Sequence, residues 1–260
     1  MQSVDILGYS ISAQGLDADA EHALRIIMSN EATHHVACAN PHSFVVAAKD
    51  KEFQHALAHS DLLLPDGAGI VMAAKLLRQD LPGRVAGSEF FMKLSELAQR
   101  AGEIKYFFLG ASEYVLERIV ERLGSDFPAI EVCGVYSPPF KDEFSIEDNR
   151  EMIEKINAAG SHVLWVGMTA PKQEKWVESN RAYLKVPLVC SIGAAFDFYA
   201  GTKKRAPKWL CDMGLEWLPR LLREPRRLWQ RNFVSTPVFL VNVLAQKLGL
   251  PQSIRRKMSS

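Results

Sequence analysis

The sequence predicts an α/β fold, with a parallel sheet covered by helices on both faces and a C-terminal helical appendage. Three observations predict it. Short apolar runs of strand type alternate with amphipathic helical stretches as far as Gly201. Several of these runs stop at Gly or Asn, where a helix begins. After Gly201 the alternation gives way to helix-like pieces rich in Trp and Arg. With 260 residues, 48% of them hydrophobic, the chain can bury a sizeable core and is not a disordered protein.

Val4–Leu7 reads as a first strand, closed by Gly8. Leu24, Ile27 and Met28 share one face of the helix that follows Asp17-Ala-Asp19. Such an acid pair can hold a metal on a sugar nucleotide, but here it sits where helix-capping acids belong. A second strand, His35–Ala39, ends at Asn40-Pro41, which opens a helix and leaves Asn40 at the strand's carboxyl end. His55 and His59 are four apart on the next helix, a spacing that can bind metal. The residues between them supply no acid and no third ligand is evident, so they read as structural histidines.

Leu62–Leu64 is a third strand, followed by Pro65-Asp-Gly-Ala-Gly69 and a helix from Ile70 to Leu77. Asp66 stands at the strand tip, where Gly67 and Gly69 leave no side chain in a substrate's way. The Gly-x-Gly is half of a dinucleotide fingerprint. Met72 replaces the third glycine, and the preceding strand ends in Asn40 and not in a ribose-binding acid, so NAD is disfavoured. Pro82–Gly87, containing Arg84, is a loop before a helix from Ser88 to Arg100. Ile104–Leu109 and Ile130–Val135 are strands around a helix from Glu113 to Leu123. Tyr136–Phe140 is a loop placed to border a cleft, and Ile146–Ala159 is a helix.

The stretch from Val163 to Trp176 is the most informative. It reads as a buried strand ending at Gly167, a Thr169 cap, Pro171 in the first helical turn, then Lys172, Gln173 and Glu174. Open parallel sheets bind ligands at the carboxyl ends of their strands. A helix N-terminus there offers free N–H groups and partial positive charge to a phosphate or carboxylate. Val186–Ile192 is a last strand, running into Gly193–Gly201 with Asp197.

Charge is unevenly spread. Residues 203–260 hold 13 Lys/Arg and 3 Asp/Glu, although the whole chain is only +1. An acidic body with a basic end points to an anionic partner, either nucleic acid or a membrane surface. Helix-like pieces run from Trp209 to Leu222, Pro225 to Phe233 and Pro237 to Leu248. Trp209, Trp217 and Trp229 are interleaved with Arg220, Arg223, Arg226, Arg227 and Arg231, which suits a membrane interface. Leu240, Val241, Leu244 and Leu248 share a face of the last piece. No apolar run reaches the roughly 18 residues of a membrane span, and the N-terminus has no signal-peptide pattern. Cys38, Cys133, Cys190 and Cys211 form no C-x-x-C pair and read as reduced thiols of a cytosolic protein.

Four stretches together resemble the WecG/TagA/CpsF family of bacterial glycosyltransferases. They are Pro65-Asp-Gly67, Ala170-Pro-Lys-Gln-Glu-Lys-Trp176, Gly193-Ala-Ala-Phe-Asp-Phe-Tyr-Ala-Gly201 with Arg205-Ala-Pro207, and Gly214–Arg227. The similarity covers about residues 4–233, with the tail after Phe233 outside it. The resemblance implies a Rossmann-like body (1–202) and a membrane-binding appendage (203–260). It implies an inverting, metal-independent and cofactor-free transfer from a UDP-sugar to a polyprenyl-pyrophosphate-linked glycan, at the cytoplasmic face of the membrane. It also implies roles for residues. Asp66 matches the family's catalytic base. Cys38, Asn40, Gly67, Arg84, Gly167, Lys172, Gln173, Glu174, Asp197 and Arg205 fall in or beside its pocket. Arg220 and Arg223, with Arg226, Arg227 and Arg231 near them, match the lipid-pyrophosphate and membrane contacts. Three positions depart from the pattern: Cys38 where Thr is frequent, Met168-Thr169 in place of a Gly-rich turn, and Pro219 where an aromatic is usual. The alternatives are a nucleotide-binding oxidoreductase and a non-catalytic membrane-associated scaffold. No specific nucleic-acid partner is expected, and a homo-oligomer is compatible with the sequence.

Overall fold

The computed structural model of the chain describes residues 2–203, 221 and 229–255. The chain opens on a two-stranded antiparallel hairpin, β1 (Ser3–Ile6) and β2 (Tyr9–Ser12), where the sequence suggested one strand. Leu7 and Gly8 both have positive φ, 55° and 85°. That is the backbone a two-residue turn needs to match the twist of its strands. Val4, Ile6, Tyr9 and Ile11 point to the core, an alternation of period two.

The remaining strands form one six-stranded parallel sheet: β3 (His34–Ala39), β4 (Leu62–Pro65), β5 (Ile104–Gly110), β6 (Ile130–Tyr136), β7 (Val163–Gly167) and β8 (Leu188–Ser191). Their order is β4-β3-β8-β7-β5-β6. Successive residues of each strand supply opposite faces, so both faces must be apolar. Val36, Leu64, Tyr106, Phe108, Trp165 and Cys190 pack on one side. Their neighbours Ala37, Leu63, Phe107, Leu109, Leu164 and Val189 pack on the other. This is a Rossmann-like arrangement.

Helices α1 (Leu16–Ser29), α5 (Gly87–Ala101), α6 (Glu113–Asp126) and α9 (Ala195–Tyr199) cover the first face. The second face lies under α2 (Pro41–Ala47), α3 (Lys51–Ala58), α4 (Ala68–Leu77), α7 (Ile146–Ala159) and α8 (Lys172–Asn180). In α1 the buried stripe is Ala20, Ala23, Ile26 and Ile27, whereas Met28, expected on that face, is 67% exposed. The acids Asp17 and Asp19 do not cap this helix, whose N-cap is Gly15. Asp17 pairs with Lys93 at 2.5 Å, while Asp19 is buried and accepts from Ser12 Oγ at 2.5 Å.

After a π-helical turn (Gln230–Ser235), α10 (Thr236–Lys247) packs on α4 and α2. Phe239 and Val243 enter the core beside Phe44 and Tyr9. Gln246 ties the helix to the hairpin, accepting from Leu7 N and donating to Asp5 Oδ1. Leu240 packs partly against this core, but Val238, Val241, Leu244 and Leu248 face out. No helix among the described residues is long and apolar enough to cross a membrane. The piece expected at 209–222, apart from Leu221, and the first part of the next, 225–228, lie outside the described residues.

Candidate active site

A cleft of about 530 Å³ opens at the carboxyl ends of β3, β4, β5, β7 and β8. From β3 the chain moves outward to β4, and from β5 outward to β6. The loops therefore diverge over the middle of the sheet, where such folds bind ligands. The amino ends of α5, α6 and α8 converge on this opening through Ala86–Ser88, Ala111–Ser112, Thr169–Pro171 and Gln173–Glu174. Three helix N-termini at one space bring their partial positive charge to it, a setting for a diphosphate.

Asp66 enters the cleft immediately after β4. Its backbone N–H is held by Ala39 O at 2.8 Å, and Val85 N clamps the preceding Pro65 carbonyl at 2.8 Å. Gly67 then turns the chain into α4 with φ at 97°, a value reserved in practice for glycine. Gly69 has a different job from the open approach expected of it. A Cβ there would meet Pro41 Cγ at 2.4 Å, so the residue lets α4 start against α2.

Asn40 caps α2, its Oδ1 accepting from His42 N and Ser43 N at 3.1 and 3.2 Å. The carbonyl is thus committed to the helix, which leaves the amide as a donor toward the cleft. Cys38 lies beside it. Burial, with the Asp66 and Glu174 carboxylates nearby, pushes its thiol well up, so it stays protonated. Gly167 lines the cleft and also seats Phe196, which a Cβ would strike at 2.3 Å.

Thr169 does not cap α8 with its hydroxyl. Pro171 holds the cap position, and the Thr169 carbonyl accepts from Lys172 N at 3.0 Å. Gln173 and Glu174 on the first turn are almost fully buried in the cleft wall, with Gln173 Nε2 donating to Glu174 Oε1 at 2.8 Å. Gln173 Oε1 and Glu174 Oε2 have no hydrogen-bond partner. Burial is the main cause that raises the Glu174 carboxyl to about 7, opposed by the Gln173 hydrogen bond.

Asp197, on α9 at the far wall, accepts from Lys203 Nζ at 3.0 Å and Thr202 Oγ1 at 3.2 Å. Arg231 reaches the rim from the C-terminal side. The adjoining turn is fixed by Ser235 Oγ, 2.8 Å from His42 Nδ1.

Asp66, Cys38, Asn40, Gly167, Gln173, Glu174, Asp197 and Arg231 thus come together. Gly67 does not line the cleft, and neither do Arg84 and Lys172. Arg84 pairs with Glu89 at 3.2 Å. Lys172 is turned away, donating to the Lys141 carbonyl and lying 3.7 Å from the centre of the Phe144 ring. The Tyr136–Phe140 loop also stays clear of the cleft, and Phe140 is fully exposed. Arg205, Arg220, Arg223, Arg226 and Arg227 lie outside the described residues.

Sequence reading missed Ser112 and Ser191. Ser112 caps α6, accepting from Val115 N at 3.4 Å, and its Ser-x-x-Val setting was a readable cap signal. Ser191, in the cleft wall, bonds the fully buried His35 Nε2 at 2.9 Å. Burial lowers His35 to about 3 and keeps the ring neutral. No local signal predicts that contact, which joins residues 156 apart.

A parallel α/β sheet with helix N-termini and the carboxylates of Asp66, Glu174 and Asp197 gathered at its switch point has the form of an enzyme active site. The chain belongs to the glycosyl transferase WecG/TagA/CpsF family, whose pattern matches residues 4–253. The match extends past Phe233, so α10 falls within the shared region, contrary to the limit read from the sequence.

Among its relatives is the N-acetylglucosaminyldiphosphoundecaprenol N-acetyl-beta-D-mannosaminyltransferase of Bacillus spizizenii. It is 34% identical over 209 residues, covering 80% of this chain and 78% of that one. The protein of the same name from Bacillus subtilis (strain 168) is 30% identical, covering 82% and 79%. That of Staphylococcus aureus (strain MW2) is 25% identical, covering 94% and 93%. The protein is therefore a glycosyltransferase, and the oxidoreductase and scaffold alternatives fall away.

Proposed function

We propose that the protein transfers an N-acetylhexosaminyl group, of the N-acetylmannosamine type, from a UDP-sugar to a polyprenyl-diphosphate-linked N-acetylglucosamine. The observation that carries this reading is Asp66, a carboxylate at a fixed strand tip in the cleft that three helix N-termini also line. In the step, the acceptor hydroxyl oxygen attacks the anomeric carbon while Asp66 takes its proton. The bond from that carbon to the diphosphate breaks on the opposite face, and UDP leaves with the electron pair. One displacement inverts the anomeric centre, in keeping with the β-linkage in the relatives' names. A positioned base contributes about 10²- to 10⁴-fold. The amino ends of α5, α6 and α8 stabilise charge on the departing diphosphate, aided by Arg231 at the rim and by Arg205. Asn40, Gln173 and Glu174 serve the sugar, and Asp197 the far wall. The test is release of UDP from UDP-N-acetylmannosamine with N-acetylglucosaminyl-diphosphoundecaprenol as acceptor. Turnover that is absent with this pair but present with another sugar nucleotide would refute the assigned sugar and keep the class.

The transfer is read as metal-independent. Asp17 pairs with Lys93, Asp19 is buried on Ser12, and neither acid lines the cleft where a donor would sit. Turnover is expected to be unchanged in excess EDTA. A loss in chelator that magnesium or manganese restores would overturn this reading.

The chain is further proposed to divide into a catalytic body, 1–202, and a C-terminal part, 203–260, that docks on the cytoplasmic leaflet, with α10 anchoring the second to the first. Val238, Val241, Leu244 and Leu248 face outward on α10, and Trp229, Phe233 and Val234 are exposed just before it. Each basic residue near an anionic leaflet adds about 1 kcal/mol, and the segment is strongly basic. Arg220 and Arg223 are assigned to the acceptor diphosphate, because the guanidinium fork bonds two oxygens at once. Sedimentation should show more protein pelleting with anionic than with neutral liposomes, and less at higher salt. Equal pelleting with both lipids, or none, would refute docking.

A further inference from the structure

We propose that His55, His59 and Glu178 form a surface site for a late first-row divalent cation of the zinc type, one that ties α3 to α8 outside the cleft. The two histidines lie four apart near the end of α3, and Glu178 comes from α8, which packs beside it. The sequence offers no acid between the histidines. The fold supplies one from more than a hundred residues away.

The arrangement is close to a ligand set as it stands. His55 Nε2 is 3.2 Å from Glu178 Oε1, and the two imidazole rings lie 3.8 Å apart at their centres. One ligand atom from each residue falls within 4.8 Å of the others. Zinc bonds of about 2 Å in a tetrahedron need ligand atoms roughly 3.4 Å apart. Small rotations of the exposed imidazoles close the difference.

Two independent details suit these side chains to a cation. Glu178 Oε2 is buried with no hydrogen bond, its nearest cation being Arg181 Nη1 at 3.9 Å. That guanidinium is occupied by the Thr33 and His59 carbonyls and by Asp61. In addition, His59 Nδ1 is 2.9 Å from the His55 carbonyl oxygen. A carbonyl only accepts, so Nδ1 carries the proton and Nε2 keeps its lone pair for a metal. Ligating histidines are held in this way by their outer partners. Two imidazoles and one carboxylate suit zinc, nickel or copper better than magnesium or calcium, which take oxygen ligands.

None of the three residues lines the cleft, so the ion would act on stability and not on turnover. It would pin α8, whose first turn carries Gln173 and Glu174, to α3. A bound ion that ignores the unfolded chain stabilises the fold by mass action.

The experiment is calorimetric titration of the chelator-stripped full chain with zinc chloride, together with thermal melting and cobalt(II) absorption. One zinc per chain, a raised melting temperature and cobalt d–d bands without a thiolate charge-transfer band are expected. The missing thiolate band distinguishes this site from the free cysteines. His59→Ala and, separately, Glu178→Gln should each weaken zinc by about tenfold or more and lose the thermal gain. Metal-free turnover of His59→Ala should equal that of the native chain. No binding, a thiolate band, or undiminished affinity in both variants would overturn the proposal. Undiminished zinc affinity in His59→Ala alone would likewise overturn it, leaving His55 and Glu178 as an ion pair only.

Discussion

Asp66→Asn is expected to lower kcat by about 10²-fold or more, the smallest effect of losing a positioned base, while donor affinity stays near native. The amide keeps the shape of the carboxyl group and cannot take the acceptor's proton. The backbone that presents the group should not move. Asp66 N is tied to Ala39, the Pro65 carbonyl to Val85, and the following turn is set by Gly67. Loss of activity is therefore expected with the loop in its native place, which unchanged donor affinity would report. Calorimetry with the UDP-sugar and single-turnover assays with lipid acceptor separate the two quantities. A variant that keeps more than about a tenth of native kcat, against that 10²-fold floor, would remove Asp66 from the role of base. A variant that loses donor binding in parallel would make it a binding residue.

The parallel sheet was readable because it is buried on both faces. Its strands appear in the sequence as unbroken apolar runs, such as Leu62–Leu64 and Val163–Val166, each closed by a residue of turn or cap type. The carboxyl-end position of Asp66, Asn40 and Gln173 follows from that reading, and these three do meet in the cleft. Side-chain direction was not readable. Lys172 looks suited to an anion by its place on a helix's first turn. Yet the Phe144 ring and the Lys141 carbonyl, on the loop before α7, draw it outward. The hairpin was missed because its turn uses Leu7 at positive φ, where the usual signal is Asn or Gly. The helix α10 was read by its outward apolar residues, while Phe239 and Val243 on its other side hold it to the body. A helix apolar on most sides does not declare which side is buried. Likewise Glu178 could not be joined to His55 and His59 without knowing that α8 lies on α3.

Glu174→Gln is expected to make the protein more stable and a poorer catalyst. Folded Glu174 titrates at about 7 against an ordinary value of 4.5, chiefly because burial disfavours its charge. Below the ordinary value both folded and unfolded chains hold the proton, and the native carboxyl carries no penalty. As pH rises through the interval the unfolded chain ionises first, so native stability falls. Above about 7 the loss is complete and amounts to about 3 kcal/mol. Glutamine does not titrate, so the variant escapes it. At pH 8 its melting temperature should exceed the native one by about 5 °C or more for a chain of this size, and the difference should vanish near pH 4. The fold therefore keeps, at some cost, a carboxyl whose Oε2 is left unbonded beside an equally unbonded Gln173 Oε1. Both acceptors stand in the cleft wall, where sugar hydroxyls or an acetamido N–H would satisfy them. Such unpaired buried groups are retained where a ligand completes them. The variant should accordingly show a donor KM raised by about tenfold, the equivalent of one lost hydrogen bond of roughly 1.4 kcal/mol. Melting curves from pH 4 to 8 and donor saturation curves on the same protein test both halves. A variant less stable than native at pH 8 would show that Glu174 is ionised and paired in the fold. A gain in stability with an unchanged donor KM would show that the carboxyl serves no part of sugar recognition.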